Sequence, residues 1–358
     1  MAPAFVHRDR NTVCVMDASC RLGVSLVERL LRRGYVVHAA TYGRGFGSLY
    51  PVSSCGESEI LDADWVSLMA AVAGESSGSL RRLFGENRRL KLFHADPFDY
   101  QSIVDAMKGC AGLFYTFEPP QDQSYDEFLV EVEVRSAHNV LEACAQVETM
   151  ERAVFTSSVT AVVWKENRKA AADFDEREWS EPNFCRKYKK MKWCNCWLLQ
   201  SICSSRKHCC SCLTMLWHAL AKTLAEKTAW GLAMDRGVDM VCVNAGLLLV
   251  AADLSVADPY MKGAAQMYED GVLVTVDVDF LVDAHVAVYE TPSAYGRYLC
   301  FNGAVCHPHD AVKLGRLLSH DAAQPASSDG LRATQQRIQN KKLNQVMIDF
   351  DAGRHVEE

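Results

Sequence analysis

What this chain lacks narrows its class before any motif is read. No stretch approaches the roughly 18 consecutive apolar residues that span a bilayer. The opening "MAPAFVHRDRNTVCVMDAS" has charges where a secretory leader needs an apolar run. A cytoplasmic protein away from the membrane is expected. A basic excess is missing too: 38 Lys and Arg stand against 45 Asp and Glu, a formal net charge of -7. No basic face is implied, so nucleic acid is not expected as a partner. Apolar residues are not scarce. At 358 residues and 49% hydrophobic, the chain can build one large domain or two coupled ones. Cysteine is abundant at fifteen. In the cytoplasm these are expected to be reduced thiols, and most of the nine that lie scattered along the chain read as small core residues. Cys194, Cys196, Cys203, Cys209, Cys210 and Cys212 crowd one segment. Their spacing is not the paired CxxC of a structural zinc site, so no metal is expected.

The apolar pattern alternates between two periods. "NTVCVMDAS" reads as a buried parallel strand, "LGVSLVERLLRRGY" as a helix capped at Gly34, and "VVHAATY" as a second strand. Together they make a right-handed βαβ unit. Residues 45–89 are rich in Gly, Ser and Arg around one helical patch and read as a loop-rich insertion. "LKLFHAD", "AGLFYTF", "RAVFTSSVTAVV" and "VDMVCVNAGLLLV" read as further strands, with helices "DYQSIVDAMKG", "LVEVEVRSAHNVLEACAQV" and one starting near Trp217 between them. "GVLVTVDVDFLVDAHVAVYE" and "GRYLCFN" read as strand, helix and strand. The expected fold is α/β, a doubly wound parallel Rossmann sheet over 1–250 with a smaller C-terminal substrate domain over 251–358.

The stretches "RRGYVVHAATY", "ADPFDY", "NVLEAC", "RAVFTSSV", "DEREWSEPNFC", "WHALAKTLAEKTAW", "AHVAVYE" and "GRYLCFN" follow one another in a familiar order. The chain resembles the plant cinnamoyl-CoA reductase and dihydroflavonol reductase family of extended short-chain dehydrogenases, and looks most like its grass members. The resemblance implies NADP(H), phenylpropanoid-type substrates and hydride transfer to a carbonyl. In that family a tyrosine donates the proton, a lysine four residues on lowers its pKa and holds the nicotinamide ribose, and a serine polarises the carbonyl. Lys222 matches the lysine and Ser158 the serine, ahead of Thr156 and Ser157. Strand-end capping is the bland alternative for that "TSS". The tyrosine position holds His218. A neutral imidazole facing Lys222 is a poor acid, and losing a positioned acid costs about 10²–10⁴-fold.

The cofactor loop departs as well. Three glycines are needed there, for a tight turn, for approach to the pyrophosphate and for helix packing. "MDASCRLG" keeps Gly23 but has Asp17 and Cys20 at the other two positions, around Ser19 and Leu22. A side chain at Cys20 and a like charge at Asp17 both oppose the pyrophosphate, against a favourable helix N-terminus. "VVHAATYGR" ends without an acid for a ribose 2′-hydroxyl. His38 and Arg44, with Tyr42 at the family's arginine position, favour a 2′-phosphate and hence NADP(H), weakly held. Asp96 matches the adenine-contacting aspartate, with a helix cap as the bland alternative. Ala245, Val250, Ala251 and Phe280 also differ from the family's usual substrate wall.

Residues 190–215 hold the cysteine-rich stretch where the family passes almost directly from one flank to the other. The abrupt edges and in-frame resumption fit a retained intron better than zinc. Two readings stay open: an impaired NADPH-dependent reductase, and a non-catalytic protein that binds a metabolite or partner in lignin or defence regulation.

Overall fold

The computed structural model describes residues 11–42, 87–118, 125–166, 173–187, 216–249, 259–318 and 331–357, with side chains to 350. Arg44, most of the 45–89 insertion, the 190–215 segment and the Val250-Ala251 pair lie outside the described residues. So does the expected boundary at 250.

β1 (Thr12–Met16) is buried from Val13 onward. α1 (Arg21–Arg32) follows and buries Leu22, Leu26, Val27, Leu30 and Leu31, one stripe at helical spacing. Each such side chain contributes about 1.5–3 kcal/mol on leaving water. Gly34, at φ +93°, turns the chain back into β2 (Val36–Thr41) in a conformation that favours glycine. β3 (Leu90–His94), α2 (Tyr100–Met107), β4 (Gly112–Tyr115), α3 (Glu127–Gln146) and β5 (Arg152–Ser158) complete the alternation expected from periodicity.

Later come α4 (Thr160–Val163), α5 (Pro182–Lys187), α6 (Trp217–Arg236), β6 (Met240–Ala245) and β7 (Leu247–Leu249). The C-terminal elements are α7 (Ala264–Glu269), β8 (Val274–Asp277), α8 (Val278–Glu290), β9 (Gly296–Cys300), β10 (Gly303–Ala304), α9 (Pro308–Leu318) and α10 (Lys341–Glu357). Seven strands form one sheet in the order β3-β2-β1-β4-β5-β6-β9, the doubly wound arrangement. The strand order reverses between β1 and β4, whose last residues, Met16 and Tyr115, are in register. Ligands of such sheets bind at that reversal.

Two runs expected as single strands are divided. After Ser158 the chain turns helical at Thr160–Val163, and the Ser158 hydroxyl accepts the Thr160 N–H at 3.2 Å. "VDMVCVNAGLLLV" breaks at Gly246, where a Cβ would sit 3.0 Å from the Val274 carbonyl oxygen. β7 then leaves the large sheet and joins the small sheet β10-β8-β7.

The described residues fall into two compact units. One is drawn from Met1–Gln123, His138–Val154 and Leu232–Asp239, and holds the first βαβ unit. The other is drawn from Ser124–Ala137, Phe155–Gly231 and Met240–Glu358, and holds the apolar cluster around Trp164, Phe174, Leu220 and Leu273.

Candidate functional site

The loop between β1 and α1 keeps the shape of a glycine turn without its first two glycines. Asp17 has φ +62°, the one non-glycine residue at positive φ among those described. Aspartate tolerates this conformation at a modest cost. Asp17 is buried, and its Oδ1 accepts the Ser19 hydroxyl at 2.8 Å. Gly23 is packed so closely that a Cβ there would lie 2.2 Å from the Asp17 carbonyl oxygen. The third glycine position is therefore obligatory. Leu22 is buried on the core side of α1.

Cys20 caps the helix: its Sγ accepts the Gly23 N–H at 3.2 Å and lies 3.1 Å from Thr116 Oγ1. Burial, reinforced by the Asp17 and Glu118 carboxylates, raises its thiol pKa well above the usual value. These two contacts hold the thiol in place. A feature not foreseen is Glu118, just after β4. It accepts the Arg21 backbone N–H at 3.3 Å and Arg21 Nε at 2.8 Å, and forms an ion pair with that guanidinium.

At the end of β2, Tyr42 is buried. His38 does not serve a 2′-phosphate. Buried within β2, it places Nδ1 2.9 Å from the Ala106 carbonyl oxygen, and burial lowers its pKa. β2 is buried on both faces from Val37 onward, so neither face would bring this residue to solvent. Asp96 is exposed, and its Oδ1 accepts the Phe98 N–H at 2.8 Å. The cap of α2 is Asp99, not Asp96.

The second unit gathers the residues expected to do chemistry. Each hydroxyl of "TSS" has its own partner. Thr156 Oγ1 meets His285 Nε2 at 2.8 Å, and Ser157 donates to buried Glu226 at 2.7 Å. Ser158 Oγ accepts from the Thr160 hydroxyl at 3.0 Å, so its own proton remains to be donated. Thr160 Oγ1 also lies 3.3 Å from His218 Nδ1. With the Thr160 proton on Ser158, Nδ1 is the donor in that contact.

His218, near the start of α6, is half-buried between the rings of Tyr125 (5.1 Å, edge-on) and Tyr260 (6.4 Å). Burial, and then the Lys222 ammonium, hold its pKa well below the usual 6.5. At neutral pH the ring is uncharged. Lys222, one helical turn on, is buried and pairs with Glu133 of α3 at 2.7 Å; Glu133 also accepts the Tyr125 hydroxyl at 2.7 Å.

Thr160, Tyr125 and Glu133 escaped the sequence reading. In "LVEVEVRS" the two glutamates look alike. Only the burial pattern of α3 separates Glu133, which points inward, from exposed Glu131. Among the described residues no group of three His, Cys, Asp or Glu side chains is placed to hold a metal. No described helix is long and apolar enough to cross a membrane.

Comparison with known proteins fixes the family. Cinnamoyl-CoA reductase 1 of Petunia hybrida is 33% identical over 284 residues, 76% of each chain. The chain belongs to the plant cinnamoyl-CoA reductase family. Cinnamoyl-CoA reductase 1 of Arabidopsis thaliana, another member, is 30% identical over 95% of this chain and 85% of its own. The wider 3-beta hydroxysteroid dehydrogenase/isomerase family matches residues 75–198. In fold the chain is similar to vestitone reductase from alfalfa, with a TM-score of 0.57 at 22% identity, covering 94% of this chain and 91% of that one. It is also similar to yeast Gre2 complexed with NADPH, with a TM-score of 0.56 at 18% identity over 94% and 92%.

Proposed function

We propose that this chain is a slow NADPH-dependent reductase of a phenylpropanoid-type carbonyl or CoA thioester, acting in the cytoplasm. Residues 1–250 would carry the cofactor and 251–358 shape the substrate pocket. The cradle fits the cofactor in its backbone: the turn at Asp17 and the space kept by Gly23 are those a pyrophosphate loop needs. Its carboxylates oppose it, and binding is expected to be weak. Ser19, Cys20, Leu22 and Gly23 would present backbone to the pyrophosphate. Tyr42, Arg44 and Asp96 would meet the adenosine half, and Lys222 the nicotinamide ribose. The absence of an acid after β2 favours NADP(H) over NAD(H).

A bound NADPH supplies the hydride. Ser158, with its proton available, would donate to the substrate carbonyl oxygen and polarise it. The observation that carries the reading is His218: an uncharged imidazole whose Nδ1 proton is directed to Thr160. Such a ring is a weak donor to a developing alkoxide, so turnover is slow. Calorimetry with NADPH and NADH, followed by single-turnover reduction of cinnamoyl-CoA, tests the reading. Measurable NADPH binding with slow product formation is expected; tight NADH binding would overturn the cofactor assignment.

The second reading, a non-catalytic protein that binds a metabolite or partner in lignin or defence regulation, draws on a different observation. Lys222 is already engaged by a buried carboxylate. NADPH binding with no reduction of any cinnamoyl-type substrate favours it.

A further inference from the structure

The first turn of α1 contains no acid of its own. The carboxylate found there comes from Glu118, nearly a hundred residues along the chain. One of its oxygens takes the Arg21 N–H, in the helix's first turn, and the other takes the Arg21 Nε proton. These are donors that a helix N-terminus offers to an anion. Both partners keep contact with solvent: the Arg21 side chain is 18% exposed and that of Glu118 29%. A second carboxylate, Asp17, lies close enough to act with Glu118 on the Cys20 thiol.

We infer that Arg21 is a ligand of the cofactor's phosphates and that Glu118 is its internal competitor, an anion seated on α1 that the cofactor displaces. The inference rests on the cofactor reading above. A carboxylate and a phosphate oxygen seek the same charge-assisted donors, and one N–H and one guanidinium face cannot serve both. Guanidinium matches a phosphate in a bidentate fork, so Arg21 gains a better partner when Glu118 leaves. Cofactor affinity is then set by the exchange rather than by the cradle alone. The weakness expected of this cofactor site has a second cause besides the missing glycines.

The experiment is calorimetry on the full chain with two probes, NADPH and inorganic pyrophosphate. It uses the wild type, Glu118→Gln, the double variant Glu118→Gln/Arg21→Gln, and Glu290→Gln on α8 as a charge-matched control. Glu118→Gln should bind both probes about tenfold more tightly, roughly 1.4 kcal/mol. The double variant should lose that gain, and the control should match the wild type. An unchanged or weaker Kd for pyrophosphate in Glu118→Gln overturns the inference. So does a double variant as tight as the single one, or an equal gain in the control. If pyrophosphate binding improves while no variant binds NADPH, the exchange stands and the cofactor reading falls. If NADPH binds wild type and Glu118→Gln alike without a pyrophosphate gain, the cofactor reading stands and the exchange falls. Thermal melts confirm folding, and Glu118→Ala replaces the glutamine variant if it does not fold.

Discussion

His285 and His218 are held neutral by where they lie, and that makes acid a condition under which the fold weakens. His285 donates from Nδ1 to the Leu281 carbonyl at 2.7 Å and sits fully buried; burial takes its pKa from 6.5 to about 4. The unfolded chain therefore binds a proton near pH 6.5 that the folded chain refuses until about pH 4. Stability is full above pH 6.5 and is lost as pH falls through that window. The loss from this one group is on the order of 3 kcal/mol. Urea titrations at stepped pH values should show it, and His285→Gln should flatten the slope. A stability independent of pH between 6.5 and 4 in the wild type would contradict the burial argument. His218 acts in the same direction, since burial and Lys222 lower its pKa as well. That a histidine stands one helical turn before Lys222 was legible in the sequence. Its tautomer was not, because that depends on Thr160, whose helical turn the apolar run disguised as strand.

At the level of elements, the two groups of site residues are stabilised by different physics. The cofactor loop depends on a close approach. A Cβ on Gly23 would meet the Asp17 carbonyl oxygen at 2.2 Å, so Gly23→Ala must push α1 away from its loop. An overpacked contact costs about 1–3 kcal/mol, and calorimetry should find NADPH binding lost. Normal binding by that variant would mean the loop does not carry the cofactor.

The β5 end depends instead on a buried charge. Glu226 on α6 is fully buried and accepts from Ser157, from Asn244 at 2.8 Å and from Arg297 at 2.6 Å. It thereby joins β5, β6 and β9 to the helix that carries His218 and Lys222. Glu226→Gln leaves the Arg297 charge without its partner, and should lower stability by about 3 kcal/mol in denaturant unfolding. A change below roughly 1 kcal/mol would show that the pair is not what ties these elements. Periodicity located β5, β6, β9 and α6, because burial imposes it. Glu226 and Asn244 stayed hidden, since a polar residue inside an apolar run gives no sign of the partner that satisfies it.

Across the whole molecule the account is of a reductase frame kept intact around altered working parts. The large sheet is the doubly wound parallel one that the alternation of strand and helix in the sequence anticipates. What sequence could not supply was the pair of internal carboxylates, Glu118 and Glu133, because each is far along the chain from the cation it meets. Proton donor and cofactor must both be in place for hydride transfer, so repairing one should do little without the other. The most direct measurement is the rate of NADPH-dependent cinnamoyl-CoA reduction by the wild type, His218→Tyr, Asp17→Gly/Cys20→Gly, and the triple variant, with residues 190–215 removed from all four and the intact chain run beside them. The account predicts an intact wild type far below 1 per second, and a triple variant whose gain exceeds the product of the two partial repairs. An intact chain that already turns over at roughly 1 per second, an ordinary enzyme rate, would contradict it and make His218 a working acid.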